Sequence, residues 1–187
     1  MRVFVALEIP ADVRGAIGAF ERKLEPECRG ARWVRPESMH VTLKFVGEAT
    51  SEGVEQIKKE LSGVRAAGPV RIVFRGAGFF PNERHPRVFW AGIEATPNLA
   101  KIAGVIESRF ERLGIPREAR DFRPHLTLAR FKSEEGLANL RAALAIAGPL
   151  EFGSMETTEM HLIESRLERG GAVYTRLTTF IFAGGAA

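Results

Sequence analysis

Short runs of alternating apolar and polar residues recur along the chain, and this period-two pattern predicts β-strands. Between these runs, apolar residues return every three or four positions, which predicts amphipathic helices. In the first half the predicted strands are 2–9, 31–34, 40–46 and 70–80. The predicted helices there are 10–24, opened by Pro10, and a segment running from Ser51, as the N-cap, to Gly63.

The second half repeats this order after the polar, turn-rich residues 81–87. Its predicted strands are 88–95, 124–131, 150–155, 158–167 and 173–182, with a hairpin turn at Gly170 and Gly171. Its predicted helices run from Thr96 and Pro97 to Leu113 and from 134 to 146. Both halves therefore show strand, helix, strand, helix, strand. We interpret the chain as a duplication, with halves of about 1–85 and 86–187 in a single two-lobed domain.

One four-residue phrase occurs in both halves, as His40-Val41-Thr42-Leu43 and as His125-Leu126-Thr127-Leu128. Because strand side chains alternate between two faces, His and Thr point to one face and the apolar residues to the other. A single His-x-Thr-x occurs often by chance, whereas two copies 85 residues apart in matching contexts, HVTLKF and HLTLAR, indicate a function. A pseudo-twofold arrangement of two lobes would bring the polar faces together across a central cleft.

Two histidines and two threonines facing one cleft suit proton transfer at phosphorus. Near neutral pH one imidazole can be neutral and the other protonated, so that one activates water and the other protonates the leaving oxygen. Thr42 and Thr127 would donate hydrogen bonds to the non-bridging oxygens as phosphorus becomes five-coordinate. This chemistry needs no metal. His85 and His161 lack ligand-type partners at a repeated spacing, and we interpret both as ordinary surface or core residues.

Two cations lie near the motifs. Lys44 shares strand parity with His40, which predicts that it points toward a phosphate, and a solvated lysine at the strand end is the open alternative. Arg130 is out of parity with His125, so its planar guanidinium reaches a phosphate only through a β-bulge or at the strand end.

Three phenylalanines flank the motifs and are candidates for stacking a base, namely Phe45, Phe122 and Phe131. Strand parity favours core packing for Phe45 and Phe131. Cys28 is the only cysteine, which excludes an intrachain disulfide and a thiolate zinc cluster. No base is evident beside it, so we do not expect Cys28 to be a nucleophile.

Composition adds a modest preference for partners. The 187 residues are 45% hydrophobic and 27% charged, which is ordinary for a globular protein, and the net charge is +4. A basic excess favours polyanions such as RNA. No stretch approaches the ~18 apolar residues of a membrane span, and no secretory leader is evident, so a cytoplasmic protein is predicted. The absence of a repeated interface stripe predicts a monomer.

The paired phrases HVTLKF and FRPHLTLAR, the lead-in ARWVRPESMH and the tail LIESRLERGGAVYTRL resemble the two-histidine phosphoesterase superfamily over nearly the whole chain. Within it they look most like the bacterial and archaeal RNA 2',3'-cyclic phosphodiesterases, also called 2'-5' RNA ligases. The resemblance implies a bilobal α+β fold, with two antiparallel sheets flanking a central cleft and helices on the outside. It also implies that the protein opens a terminal 2',3'-cyclic phosphate on RNA to a 2'-phosphomonoester without metal or cofactor.

By the same resemblance, His40 is the proton donor to the 3' leaving oxygen and His125 is the acceptor that activates water. Thr42 and Thr127 match the phosphate-binding threonines of the family. From the residues alone the two histidines are interchangeable. Three alternatives stay open: a ligase joining 2'-5' linkages in tRNA halves, a non-catalytic module that binds nucleotides or RNA ends, and a substrate that is a small cyclic nucleotide.

Overall fold

The computed structural model describes residues 1–169 and 171–184, and these residues form nine β-strands and four α-helices. The strands are β1 (Arg2–Glu8), β2 (Ala31–Trp33), β3 (His40–Glu48), β4 (Val70–Phe80), β5 (Val88–Ala95), β6 (His125–Phe131), β7 (Glu151–Thr157), β8 (Glu159–Glu168) and β9 (Gly171–Ile181). The helices are α1 (Ala11–Leu24), α2 (Ser51–Ser62), α3 (Asn98–Glu111) and α4 (Leu137–Ala147).

The strands form two antiparallel sheets, which confirms the predicted α+β class. The four-stranded sheet has the order β3-β1-β8-β9, and the five-stranded sheet has the order β2-β6-β5-β4-β7. In each sheet a motif strand, β3 or β6, lies beside the strand that opens its half of the chain, β1 or β5. The two sheets are therefore built on the same local plan.

The two lobes are not the two halves of the sequence, and this corrects the simplest form of the duplication. β4 of the first half pairs with β5, while β8 of the second half pairs with β1. The polar segment 81–87 is accordingly a hairpin loop within one sheet, because strands adjacent in sequence tend to pair. The first half thus contributes β2 and β4 to the five-stranded sheet, and the second half contributes β8 and β9 to the four-stranded sheet.

The apolar faces of the sheets and the apolar stripes of the helices form one continuous core. α1 contacts β7 of the five-stranded sheet, and α3 contacts β3 of the four-stranded sheet, so each helix crosses to the sheet that does not contain the strand before it. The N-cap of α2 lies one residue earlier than predicted. The Thr50 hydroxyl, not Ser51, accepts a hydrogen bond of 3.0 Å from the Gly53 amide and is the N-cap.

Both motif strands carry a β-bulge immediately after the threonine. In β3, Thr42 pairs with Ala6 and Lys44 pairs with Val5, so one extra residue lies between them. In β6, Thr127 pairs with Trp90 and Ala129 pairs with Phe89. A bulge inverts the alternation of side chains beyond it, which places two successive residues on the buried face in each strand.

β3 and β6 contact each other where the sheets meet. The edge strand β2 pairs only along residues 31–33 with β6, so the motif strands lie near the boundary between the sheets. The hairpin of β8 and β9 is paired up to Glu168 and Gly171, whereas the predicted turn rests on Gly170, which is outside the described residues. In the described part of the chain, no helix has the length and apolarity needed to cross a membrane.

Candidate active site

The two motif histidines are held in the same way. His40 Nδ1 lies 3.1 Å from the Ser38 carbonyl, and His125 Nδ1 lies 2.8 Å from the Arg123 carbonyl, in each case two residues earlier in the chain. Because a carbonyl oxygen only accepts, Nδ1 carries a proton in both rings. Nε2 is therefore the atom that gains or loses a proton in each imidazole, which is what an acid and base pair requires.

His40 contacts two aromatic rings and has charged groups nearby. The ring meets Phe4 and Tyr174 edge to face, with centroid distances of 5.7 and 5.3 Å. Burial lowers the pKa of His40, while the hydrogen bond to Ser38 and the carboxylate of Glu8 act in the opposite direction. The protein alone therefore favours the neutral form of this imidazole.

The surroundings of His125 are more open. Phe80 meets the His125 ring edge to face at 5.1 Å, and Phe80 lies 5.3 Å from Trp90 with the two planes tilted by 35°. Gly78 makes the position of the indole possible, because a Cβ on Gly78 would lie 2.3 Å from Trp90 Cζ2. A cavity of about 320 Å³ opens between these rings and the histidine.

Thr42 and Thr127 share a face with the histidine of their own strand, and both are half-buried. The neighbour of Thr42 across the strand pair is the small Ala6, and the neighbour of Thr127 is the large Trp90. The four motif side chains therefore lie on strands that contact each other, each threonine on the face of its own histidine, and their roles stay predictions.

The bulges decide the two predictions made for the flanking cations, against Lys44 and in favour of the face expected for Arg130. Lys44 does not reach the cleft: it is 2% exposed, and its Nζ donates to Glu107 Oε2 at 2.8 Å and to the Pro116 carbonyl at 2.7 Å. Arg130 is exposed and, beyond the bulge in β6, lies on the same face as His125. The expectation for Lys44 was wrong because parity was counted through the bulge, whereas the condition stated for Arg130 is met.

The same shift moves Phe45 to the polar face, so the expectation of core packing was wrong for this residue. Phe45 is 58% exposed, and its ring lies 5.9 Å from that of Phe4. Phe131 packs partly buried against the core, as predicted, with its ring 6.1 Å from Phe79. Phe122 also packs partly buried against the core, and its role in stacking a base stays a prediction.

The face of the four-stranded sheet that carries His40 also carries polar groups that sequence reasoning missed as part of the site. Glu8 pairs directly with His40 across the strands and accepts two hydrogen bonds from Arg176. His161 is the neighbour of Ala6 on β8, is 3% exposed, and its Nδ1 lies 3.0 Å from Thr179 Oγ1. Alternation along β1 was a usable signal for Glu8, because positions 4, 6 and 8 share the face of the paired motif residues.

The remaining candidates are not part of the motif faces. His85 is exposed, with Nδ1 at 3.2 Å from Glu134 Oε1. Cys28 is buried, and burial raises the pKa of its thiol, which disfavours the reactive thiolate. Among the described residues, no group of three or more His, Cys, Asp or Glu side chains is arranged to hold a metal ion.

This fold, with two matched His and Thr pairs on contacting strands, is that of a phosphoesterase. The chain belongs to the LigT-like phosphoesterase family, whose model matches residues 7–90 and 93–174. The resemblance drawn from the motifs is therefore confirmed.

Relatives and solved structures agree with this assignment. The chain is 31% identical over 183 residues to the RNA 2',3'-cyclic phosphodiesterase of Methanothermobacter thermautotrophicus, covering 96% of this chain and 98% of the relative. It is 35% identical over 191 residues to that of Thermus thermophilus, covering 98% and 91%. The crystal structure of E. coli LigT with 3'-AMP has a TM-score of 0.79 at 29% identity, covering 97% of both chains.

Proposed function

We propose that this protein hydrolyses the 2',3'-cyclic phosphate at the end of an RNA to a 2'-phosphomonoester. The observation that carries the proposal is the matched pair of histidines, each with Nδ1 held by the backbone carbonyl two residues earlier, on two motif strands that contact each other. The shared name of the relatives, RNA 2',3'-cyclic phosphodiesterase, supports this substrate class. The 3'-AMP bound to E. coli LigT supports a nucleotide in the cleft.

In the proposed reaction, His125 Nε2 takes a proton from water as the water oxygen attacks phosphorus opposite O3'. The P–O3' bond breaks, and His40 Nε2 gives its proton to O3'. The product keeps the P–O2' bond and carries a free 3'-hydroxyl. Proton exchange with solvent then restores the neutral His125 and the protonated His40, so the cycle is balanced.

The non-bridging oxygens need donors as negative charge accumulates on phosphorus. Thr42 and Thr127 supply one hydroxyl from each strand, and the Arg130 guanidinium supplies a fixed positive charge on the His125 side. With acid, base and charge stabilisation all assigned to side chains, we propose that the reaction needs no metal or cofactor.

The donor role of His40 has to overcome its surroundings, because burial lowers the pKa of this imidazole. Glu8 opposes that effect, and the phosphate anion of a bound substrate acts in the same direction as Glu8. A substrate with sulfur in place of O3' tests the role, because a thiolate leaves without protonation. We expect this substrate to restore much of the activity lost in His40→Ala and none of that lost in His125→Ala.

The first test is incubation of the purified protein in EDTA with a nucleoside 2',3'-cyclic phosphate and with an oligonucleotide that ends in one. We expect a 2'-phosphate product that His40→Ala abolishes and that His85→Ala, a surface histidine variant, leaves unchanged. Tight nucleotide binding without any turnover would overturn the proposal in favour of a binding module. A 3'-phosphate product would contradict the assigned leaving oxygen.

Joining of 2'-5' linkages is a second candidate, favoured by the family to which the chain belongs. The same residues serve hydrolysis and joining, since in joining a 5'-hydroxyl of a second RNA replaces water as the nucleophile at His125. An excess of 5'-hydroxyl RNA over cyclic-phosphate RNA, with 2'-5' products quantified, tests it, and absence of joined product would overturn it. The use of tRNA fragments, a cytoplasmic location and a monomeric state stay predictions.

A further inference from the structure

The cavity beside His125 has the size and position of a nucleoside subsite. Its volume of about 320 Å³ lies within the ~300–1,000 Å³ range of small-molecule pockets. Gly92 is the strand neighbour of His125 and also lines the cavity, and a Cβ there would lie 2.4 Å from the Arg75 carbonyl oxygen, so glycine lets β4 approach this wall closely. A water molecule alone does not need a cavity of this size, so the cavity is suited to another part of the substrate.

One wall of this cavity is aromatic. Phe80 and Trp90 stand side by side, and the edge contact of Phe80 with His125 places the aromatic wall directly against the catalytic imidazole. Proteins that recognise unpaired RNA bases commonly hold them on such rings, because every base has an apolar face. The wall is therefore suited to a nucleobase attached to the reacting ribose phosphate.

The lining of this cavity also includes three charged side chains, Arg75, Glu94 and Arg123, of which Arg75 and Glu94 form a pair. Arg75 Nε lies 3.5 Å from Glu94 Oε2, and the two side chains are 49% and 63% exposed. An exposed pair at this distance contributes little to stability. Each group can therefore leave its partner and bind a ligand at little cost in stability. Their position at the mouth of the aromatic cavity gives them access to the edge of a bound base.

We propose that this cavity binds the base of the terminal nucleoside and that Arg75 and Glu94 select guanine. Guanine alone among the four bases offers N1–H and N2–H side by side for both carboxylate oxygens, with O6 and N7 for the guanidinium fork. Adenine, cytosine and uracil satisfy only part of this arrangement. The inference rests on the proposed function, and it adds the identity of the preferred RNA end.

The test compares kcat/KM for guanosine, adenosine, cytidine and uridine 2',3'-cyclic phosphates. We expect guanosine to exceed uridine by about tenfold, the discrimination typical of one good bidentate base contact. Glu94→Gln and Arg75→Gln should each lower the guanosine to uridine ratio, and the double variant should bring it close to one. The matched control is Arg71→Gln, which breaks the Arg71–Glu156 pair on the same sheet away from the cavity and should keep the wild-type ratio.

The aromatic wall has its own readout. We expect Trp90→Leu to raise KM for all four nucleotides by a common factor, whereas Trp90→Phe keeps much of the wild-type KM. Equal kcat/KM for the four nucleotides, or a guanosine preference that survives in the double variant, would overturn the inference while the hydrolysis itself stands. Failure to hydrolyse any of the four would instead count against the proposed function.

Discussion

The two motif strands share a backbone and differ in what they carry. Both begin with a histidine whose Nδ1 is held by the carbonyl two residues earlier, and both bulge after the threonine. At the fourth residue after the histidine, β3 has Lys44 and β6 has Ala129, both buried. At the fifth residue, β3 presents Phe45 to the polar face and β6 presents Arg130.

The difference divides the work between the lobes. Around His40 the surface is aromatic, with Phe4, Phe45 and Tyr174 in contact, and the buried cation ties β3 to α3. Beside His125 lies an open cavity whose lining includes the charged Arg75, Glu94 and Arg123, and Arg130 is exposed further along the same face of β6. The duplicated backbone therefore holds both histidines alike, while the side chains beyond the bulge differ: β3 carries a buried lysine and an exposed phenylalanine, and β6 carries a buried alanine and an exposed arginine.

The largest effect should come from the buried cation of β3. Lys44→Ala leaves Glu107 without its partner and opens a cavity, which we expect to lower the free energy of unfolding by about 3–5 kcal/mol. Urea unfolding measures this loss, and Lys44→Met paired with Glu107→Gln should recover most of it. A variant that unfolds normally but has lost tenfold or more in kcat would show instead that Lys44 acts on the phosphate.

Substitutions at the fifth residue after each motif histidine, Phe45 and Arg130, test the contrast between the two strands. Arg130→Met should lower kcat/KM by about 10²-fold, because a charge aimed at the developing phosphate anion is lost. Phe45→Met should lower it only a few-fold, and Arg130→Lys should lie between the wild type and Arg130→Met. Steady-state kinetics on a nucleoside 2',3'-cyclic phosphate gives these values, and equal losses at the two positions would contradict the division of roles.

The turn that carries the Ser38 carbonyl lies near a buried carboxyl, that of Glu21, and this makes the stability of the His40 side depend on pH. Glu21 on α1 is buried, and burial together with Glu25 and Glu37 raises its pKa to about 8 from 4.5. Glu37 lies in the turn that carries the Ser38 carbonyl. The folded protein keeps this proton where the unfolded chain has lost it, so the stability it contributes is full below pH 4.5 and is lost as pH rises through about 8.

Glu21→Gln should therefore raise the melting temperature at pH 8.5 by a few degrees, equivalent to about 1 kcal/mol for a protein of this size. The same variant should show a smaller gain at pH 5, and Glu83→Gln, on the exposed loop, should change neither value. Thermal denaturation at both pH values measures the difference. A gain independent of pH would argue against a carboxyl that is kept protonated by burial.

The smallest expected effect distinguishes acid from base. Glu8 raises the pKa of His40, so Glu8→Gln should move the limb of the pH profile that His40 controls to lower pH. If His40 is the donor, this is the alkaline limb, because activity falls as the donor loses its proton. Movement of the acid limb would assign His40 as the base. Glu159→Gln, near His161, is the control and should move neither limb.

The strands, helices and paired motifs follow from the sequence because each is encoded locally. The run Val70–Phe80 was predicted to its ends, and α1 begins one residue from the predicted position. Exchange of β4 and β8 between the sheets was not predictable, because it depends on which strands pair over long distances. Period-two patterns fix the faces of a strand but not its neighbours.

The bulges explain the errors around the site. Strict alternation from His40 places Lys44 on the polar face and Phe45 on the buried face, and the extra residue after Thr42 in β3 reverses both assignments. A bulge is set by pairing with β1 and by local twist, which neither motif reveals alone. One signal was available: two apolar-side positions in succession, Leu128 and Ala129, interrupt the alternation of β6.

The paired histidines are tested most directly by single-turnover hydrolysis of a nucleoside 2',3'-cyclic phosphate in EDTA. The proteins compared are the wild type, His40→Ala, His125→Ala and the double variant. We expect each single variant to lose about 10²–10⁴-fold in rate and the double variant to lose little more, because one concerted step uses both groups. A single variant close to the wild-type rate, or losses that multiply in the double variant, would contradict a single acid and base pair acting on one phosphate.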